Sequence, residues 1–127
     1  MVTNFIETQR AICTAAISFS IDPKIEWNKV DNMTKINLYR ILQEAFQNIN
    51  KYANAQNVAV KFNKSSNTLI VSISDDGVGF TSARKKKGIG LQNMESRIQT
   101  SGGTLAIESE PKLGTLLRFE LPLMATT

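Results

Sequence analysis

The sequence predicts an α+β two-layer sandwich, a mixed and mostly antiparallel sheet with helices on one face. Three observations lead there. Two pairs of strand-like runs are neighbours along the chain and read as hairpins, at residues 58–74 and 104–123. A long stretch between residues 33 and 53 carries apolar residues at helical spacing. Helices interrupt the hairpins, and that order of elements layers helices against a sheet.

The elements follow in chain order. The first dozen residues, through Ile12, read as a short helix with Val2, Phe5, Ile6 and Ile12 as its apolar members. Ile17 to Ile21 alternates strictly between apolar residues and serine, the period of a half-buried strand, and Asp22-Pro23 ends it. Asp31 or Asn32 can cap the long helix, in which Leu38, Ile41, Leu42, Ala45, Phe46, Ile49 and Ala53 form one stripe. Val58–Phe62 is a strand, the polar stretch Asn63–Asn67 a turn, and Thr68–Ser74 the returning strand. Residues 76–90 are glycine-rich and basic and read as loop. Leu91–Thr100 is a short helix, stopped by Gly102-Gly103. Thr104–Ser109 and Thr115–Leu123 are the last strands, joined by a turn at Pro111–Gly114.

At 127 residues the chain suits one domain, divided here into an N-terminal helix (1–13) and a main body (14–127). Hydrophobic residues make up 42% and charged residues 20%, enough apolar material for a core without staples. Cys13 is the single cysteine, so an internal disulfide is excluded and a structural zinc site with it. A reducing, cytoplasmic setting is the expectation, since no apolar run reaches membrane-spanning length and no signal peptide opens the chain. The chain contains no histidine, which removes a histidine base, ligand or phosphoacceptor from its own chemistry. Its net charge of +4 fits an anionic ligand or nucleic acid. The densest basic run, Arg84 to Lys87, lacks interleaved aromatics, which disfavours nucleic acid.

Four segments can carry chemistry. Glu44, Asn48 and Lys51 fall at i, i+4 and i+7 on a face adjoining the apolar stripe. A carboxylate and an amide oxygen one turn apart suit magnesium or its waters, and a lysine beyond them suits phosphate; a solvated helix flank would look the same. Asp75-Asp76-Gly77-Val78-Gly79-Phe80 follows a strand, so a flat ligand can approach a backbone without Cβ atoms while an aspartate accepts from an exocyclic amine. An ordinary Asp-Gly turn would read alike. Gly88-Ile89-Gly90-Leu91 opens a helix, where free N–H groups favour an anion. It is neither a Walker A loop nor a dinucleotide fingerprint. Gly114-Thr115 starts the last strand and taken alone is only a turn glycine and a strand threonine.

Their order along the chain carries more than any one of them. ExxxNxxKYA on a helix, DxGxG after a strand, GxGL before a helix and GT before a last strand resemble the GHKL ATPases: histidine kinases, gyrase, Hsp90 chaperones and MutL. LYRILQEAFQNINKYANA, SDDGVGF, KKGIGLQNMESRI, GGTLAIES and GTLLRFELP resemble the ATP-binding catalytic domain of nitrate-sensor-type histidine kinases, from about Asp22 to Leu123. The resemblance implies a Bergerat-type ATP-binding fold, with ATP and Mg2+ as ligands. It implies that Asn48 coordinates the metal and that Glu44 orients its waters or polarises the phosphoacceptor, as the catalytic residue. Lys51 would contact phosphate, Asp75 accept from the adenine amino group, and Gly77, Gly79 and Phe80 form the loop under the base. Lys87, Gly88, Ile89, Gly90 and Leu91 would meet the phosphates beneath a short lid. Thr115 would sit beside the adenine.

Two departures stand out. Tyr52 occupies the position where the motif commonly has histidine; it can still stack and donate one hydrogen bond. The family's acceptor histidine lies on a helical dimerisation domain, and this chain has none, so residues 1–13 read as a linker or the end of that domain. The implied partners are that dimerisation and phosphotransfer domain of a parent kinase and a response regulator downstream, with no nucleic acid and no direct membrane contact. The alternatives on the same fold are a stand-alone serine kinase of the anti-sigma type, a hydrolytic clamp of the gyrase kind and a non-catalytic nucleotide-binding module.

Overall fold

The computed structural model describes residues 2–12, 15–50, 56–77, 89–110 and 114–123. Its elements are α1 (Val2–Ile12), β1 (Ala16–Ile21), a single 3-10 turn (Trp27–Lys29), α2 (Asn32–Asn48), β2 (Asn57–Ser65), β3 (Thr68–Asp75), α3 (Ile89–Thr100), β4 (Thr104–Glu110) and β5 (Gly114–Pro122). The five strands form one sheet in the order β1-β2-β3-β5-β4. β1 runs parallel to β2, and the remaining pairs are antiparallel. The mixed α+β architecture expected from the sequence is the one observed.

Local chemistry explains the boundaries. The Asp31 carboxylate accepts from the N–H groups of Met33 and Thr34 and so caps α2. At the far end of α3, Gly102 N–H donates to the Gln99 carbonyl and Gly103 N–H to the Ile98 carbonyl. That is a Schellman closure, and Gly102 takes the left-handed φ of 81° it requires. The long helix, expected to reach about Ala53, is regular only through Asn48, and Lys51 to Ala53 lie outside the described residues. Two further boundaries differ from the sequence reading. β2 runs on through Asn63, Lys64 and Ser65, which pair with Ile70, Leu69 and Thr68, and only Ser66-Asn67 turn the chain. Those polar side chains mislead because a strand's backbone pairs whatever its side chains are, provided a partner strand lies beside it. α3 begins at Ile89, so Gly90 belongs to its first turn.

The core lies between the sheet and the helices. β2 contributes Val58, Val60 and Phe62, β3 Leu69, Val71 and Ile73, and β5 Leu117, Phe119 and Leu121, each set alternating with more exposed residues. From α2 come Leu38, Ile41, Leu42, Ala45 and Phe46, and from α3 Met94 and Ile98. α1 belongs to the same core: Ile6 is fully buried, and Phe5 packs edge-on against Phe46 with ring centroids 5.7 Å apart. No described helix is long and apolar enough to cross a membrane.

Candidate nucleotide site

The inner stripe of β3 reads Leu69, Val71, Ile73 and then Asp75. By the two-residue period of a strand, Asp75 faces the same layer as those core residues. β5 repeats the pattern in reverse, with Thr115 heading Leu117, Phe119 and Leu121. The register places Asp75 opposite Thr115. Two polar residues therefore end two apolar stripes at one end of the sheet, in the mouth between the layers. Asp75 is half-buried, and its carboxylate accepts from Gly77 N–H at 2.9 Å. Desolvation pushes its acidity toward a higher pKa; the adjacent Asp76 charge adds to this, while the Gly77 and Thr115 backbone N–H groups oppose it. A desolvated acceptor with unused lone pairs suits a neutral donor such as an amine.

Gly114 completes this end. Its φ is 95°, and a Cβ there would lie 2.1 Å from the Asp75 carbonyl oxygen. Glycine is therefore required both for the turn and for the close approach of β5 to Asp75.

The helices reach the same end. Asn37, Ile41, Glu44 and Asn48 share one row of α2 at spacings of four, three and four residues. Asn37, buried near the start of this row, donates from Nδ2 to the Ser101 hydroxyl just beyond the end of α3 at 2.6 Å. The two helices thus pack head to tail, with the row facing α3. Glu44 and Asn48, both half-buried, lie toward the opposite end, where α3 starts. Chain connectivity agrees. α2 leads into the start of β2, beside the end of β3, and α3 leads away to Thr104 at the other end of the sheet. The first N–H groups of α3, including that of Gly90, have no partner within the helix and form a positive pole at this end. Asn48 is followed by Ile49 and Asn50 in a wider π-type turn, a local irregularity frequent at functional sites.

Strand register sets Asp75 and Thr115, and with them Gly77, at one end of the sandwich, the end toward which α2 runs through Glu44 and Asn48 and from which α3 starts at Ile89, Gly90 and Leu91. Lys51, Tyr52, Gly79, Phe80, Lys87 and Gly88 lie outside the described residues. One residue escaped the sequence reading. Asp76, next to Asp75 but exposed, accepts from Gln56 N–H and Asn57 N–H at 2.8 Å each and from Asn57 Nδ2 at 2.9 Å. These bonds hold its carboxylate below the ordinary pKa. Asp76 clasps the start of β2 to the end of β3 and so fixes the strand that carries Asp75. The only hint in the sequence is the doubled aspartate; its partners are about 20 residues away and invisible to local patterning.

Comparison with known proteins places the chain in a family. Residues 33–125 match the histidine kinase-, DNA gyrase B- and HSP90-like ATPase family (HATPase_c), and the chain belongs to that family. Among its relatives, the signal transduction histidine-protein kinase/phosphatase DegS of Brevibacillus brevis is 38% identical over 90 residues, covering 70% of this chain and 23% of that protein. The oxygen sensor histidine kinase NreB of Staphylococcus carnosus is 36% identical over 97 residues, covering 75% of this chain and 28% of that protein. The chain thus spans about a quarter of the length of these relatives. Its fold is that of the histidine kinase domain from the Erythrobacter litoralis blue-light activated histidine kinase, with a TM-score of 0.80 at 17% identity, covering 95% of this chain and 58% of that one.

Proposed function

We propose that this chain is the catalytic ATP-binding domain of a two-component sensor histidine kinase and transfers the ATP γ-phosphoryl group to a histidine on a separate dimerisation domain. The observation that supports this most directly is the pairing of Asp75 with Thr115 at the sheet end to which Glu44, Asn48 and the start of α3 also converge. Asp75 accepts from the adenine amino group, and Thr115 borders the base. Guanine presents a carbonyl oxygen at that position, so two acceptors would face each other and GTP is rejected. The α3 N-terminus and the basic residues before it receive the phosphates.

The donors present fit Mg2+, a hard cation that keeps several waters and takes few protein ligands. Among the described residues there is no cluster of three or more carboxylate, histidine or cysteine ligands, and none is required of a metal held chiefly by phosphate oxygens and Asn48. Asn48 would hold such an ion, which would supply charge neutralisation at the phosphates. Glu44, one turn from Asn48, would orient waters on it or polarise the incoming imidazole. The imidazole nitrogen forms a bond to the γ-phosphorus, the bond to the β-bridging oxygen breaks, ADP leaves and the imidazole's proton passes to Glu44 and from it to solvent. The chain supplies position and electrostatics rather than a nucleophile. A response regulator then takes the phosphoryl group from the histidine, and the domain works in the cytoplasm.

The test has two steps. Calorimetric titration with a non-hydrolysable ATP analogue, with and without magnesium, is expected to show magnesium-assisted binding. Incubation with γ-labelled ATP and a separately supplied histidine domain should then yield acid-labile phosphohistidine. Binding without transfer reduces the chain to a nucleotide-binding module, acid-stable phosphoserine makes it a serine kinase, and absence of binding ends the reading.

A further inference from the structure

Among the described residues, four large hydrophobic side chains are exposed: Ile12 (62%), Met33 (61%), Ile36 (48%) and Tyr39 (37%). All four belong to α1 or α2. Scattered single exposures need no explanation, whereas a cluster marks an interaction surface. Ile36 and Tyr39, three residues apart along α2, lie away from the row that carries Glu44 and Asn48, while Met33 stands at the head of that row, four residues before Asn37.

The surface is concave. Two recesses of about 530 and 740 Å³ adjoin, and Tyr39 and Gln43 line both. Packed aromatic rings floor the first recess, where Phe5 lies edge-on to Tyr39 at 5.5 Å and to Phe46 at 5.7 Å. Side-chain amides, among them Gln9, Gln43 and Gln47, form the rim of the smaller recess. The charged residues lining the two recesses are Lys35 and Arg40, both positive.

We propose that the continuous face made by the α1–α2 recess and the adjoining α2 recess docks an acidic amphipathic helix of a separate polypeptide, apolar residues seated over Tyr39 and Ile36 and carboxylates against Lys35 and Arg40 on the α2 side. An apolar floor flanked by like charges is the form in which helices are bound in grooves. A second copy of this chain is disfavoured, because an isologous contact would set Lys35 and Arg40 against their own images. An anionic membrane is disfavoured by the concavity and by the amide rim, which needs hydrogen-bonding partners that a lipid tail lacks.

The test uses the 127-residue chain and two helical peptides with the same leucine face, one flanked by glutamates and the other by lysines. The glutamate peptide is expected to bind with NMR shift changes confined to residues 4–12 and 33–43, at least about tenfold more tightly than its lysine twin, two charge contacts being involved. The double variant Lys35→Glu/Arg40→Glu should invert that preference, and Ile36→Ser should weaken both peptides. Ile36 and Arg40 are exposed, Lys35 is half-buried, and all three lie off the nucleotide row, so unchanged ATP-analogue binding by the variants certifies their fold. Equal binding of the two peptides, no binding at this face, a concentration-dependent dimer through it, or capture by phosphatidylserine vesicles without peptide binding would each overturn the proposal.

Discussion

The two ends of the central sheet are closed in opposite ways. At the end away from the site, Asp22 receives Lys24 N–H and Lys64 N–H, Leu123 N–H bonds the Asn67 carbonyl at 2.6 Å, and a two-residue turn joins β2 to β3. Its carboxylate is held below the ordinary pKa by those N–H donors, Lys24 first. At the site end, Asp76 forms a clasp of the same kind and has its pKa lowered in the same direction. Its neighbour Asp75 is different: turned toward the core layer, desolvated and pushed upward. At Asp22 and Asp76 the N–H donors outweigh desolvation, whereas at Asp75 desolvation outweighs the two N–H donors, Gly77 and Thr115, that reach it. The contrast lies in solvation, not in the number of donors, and it marks where stability has been given up.

Five variants break or sharpen this comparison, taken from the largest expected effect to the smallest. Asp75→Ala should reduce ATP-analogue affinity by roughly 100-fold, the scale of a lost, desolvated polar contact, and erase discrimination against GTP. Retained discrimination in a calorimetric titration would remove Asp75 from the base site. Gly114→Ala should cost about 3 kcal/mol in denaturant unfolding and weaken nucleotide binding as well, because its Cβ collides with Asp75. Gly103→Ala, which meets the Glu120 carbonyl at the other end of the sheet, should destabilise comparably while a folded sample still binds nucleotide. Equal loss of binding in the two variants would erase the distinction between the ends.

Asp75→Asn tests the direction of the acidity. Because the folded pKa is raised, the native state binds the proton more tightly than the unfolded chain. Stability contributed by protonated Asp75 is present below the ordinary carboxylate range and lost as pH rises through the folded pKa. The asparagine variant should therefore melt a few degrees higher at neutral pH, with the gain vanishing in acid. Asp22 and Asp76 have lowered pKa values, so their contribution is present above the ordinary carboxylate range and lost as pH falls through the depressed one. The smallest effect belongs to the turn at the quiet end. Ser66 holds a φ of 55°, so Ser66→Gly should stabilise by about 0.5–1 kcal/mol without touching nucleotide affinity.

Much of this was legible in the residues. Strict alternation marks β1 and the cores of β3 and β5, and the same alternation, extended by one step, already turns Asp75 toward the helices. Spacing alone places Glu44 and Asn48 one turn apart beside the apolar stripe. What stayed hidden depends on partners distant in sequence. Asn37 is buried because Ser101, 64 residues later, receives its amide. Asp76 matters because Asn57 lies beside it. Periodicity reports which side of a strand is apolar, not which strand lies next to it or in which direction, so the parallel pairing of β1 could not be read from Ile17–Ile21.

That parallel pairing has a consequence for how the chain is made. Residues 16–21 hydrogen-bond to residues 57–62, with all of α2 in between. At about 5–20 residues per second of synthesis, β1 waits on the order of several seconds for its partner. During that time an alternating strand, with its ladder groups unpaired, is exposed to other chains. The nascent protein is therefore most open to aggregation or to chaperone capture before β2 emerges, and rapid local formation of α2 is what shortens the search once it does.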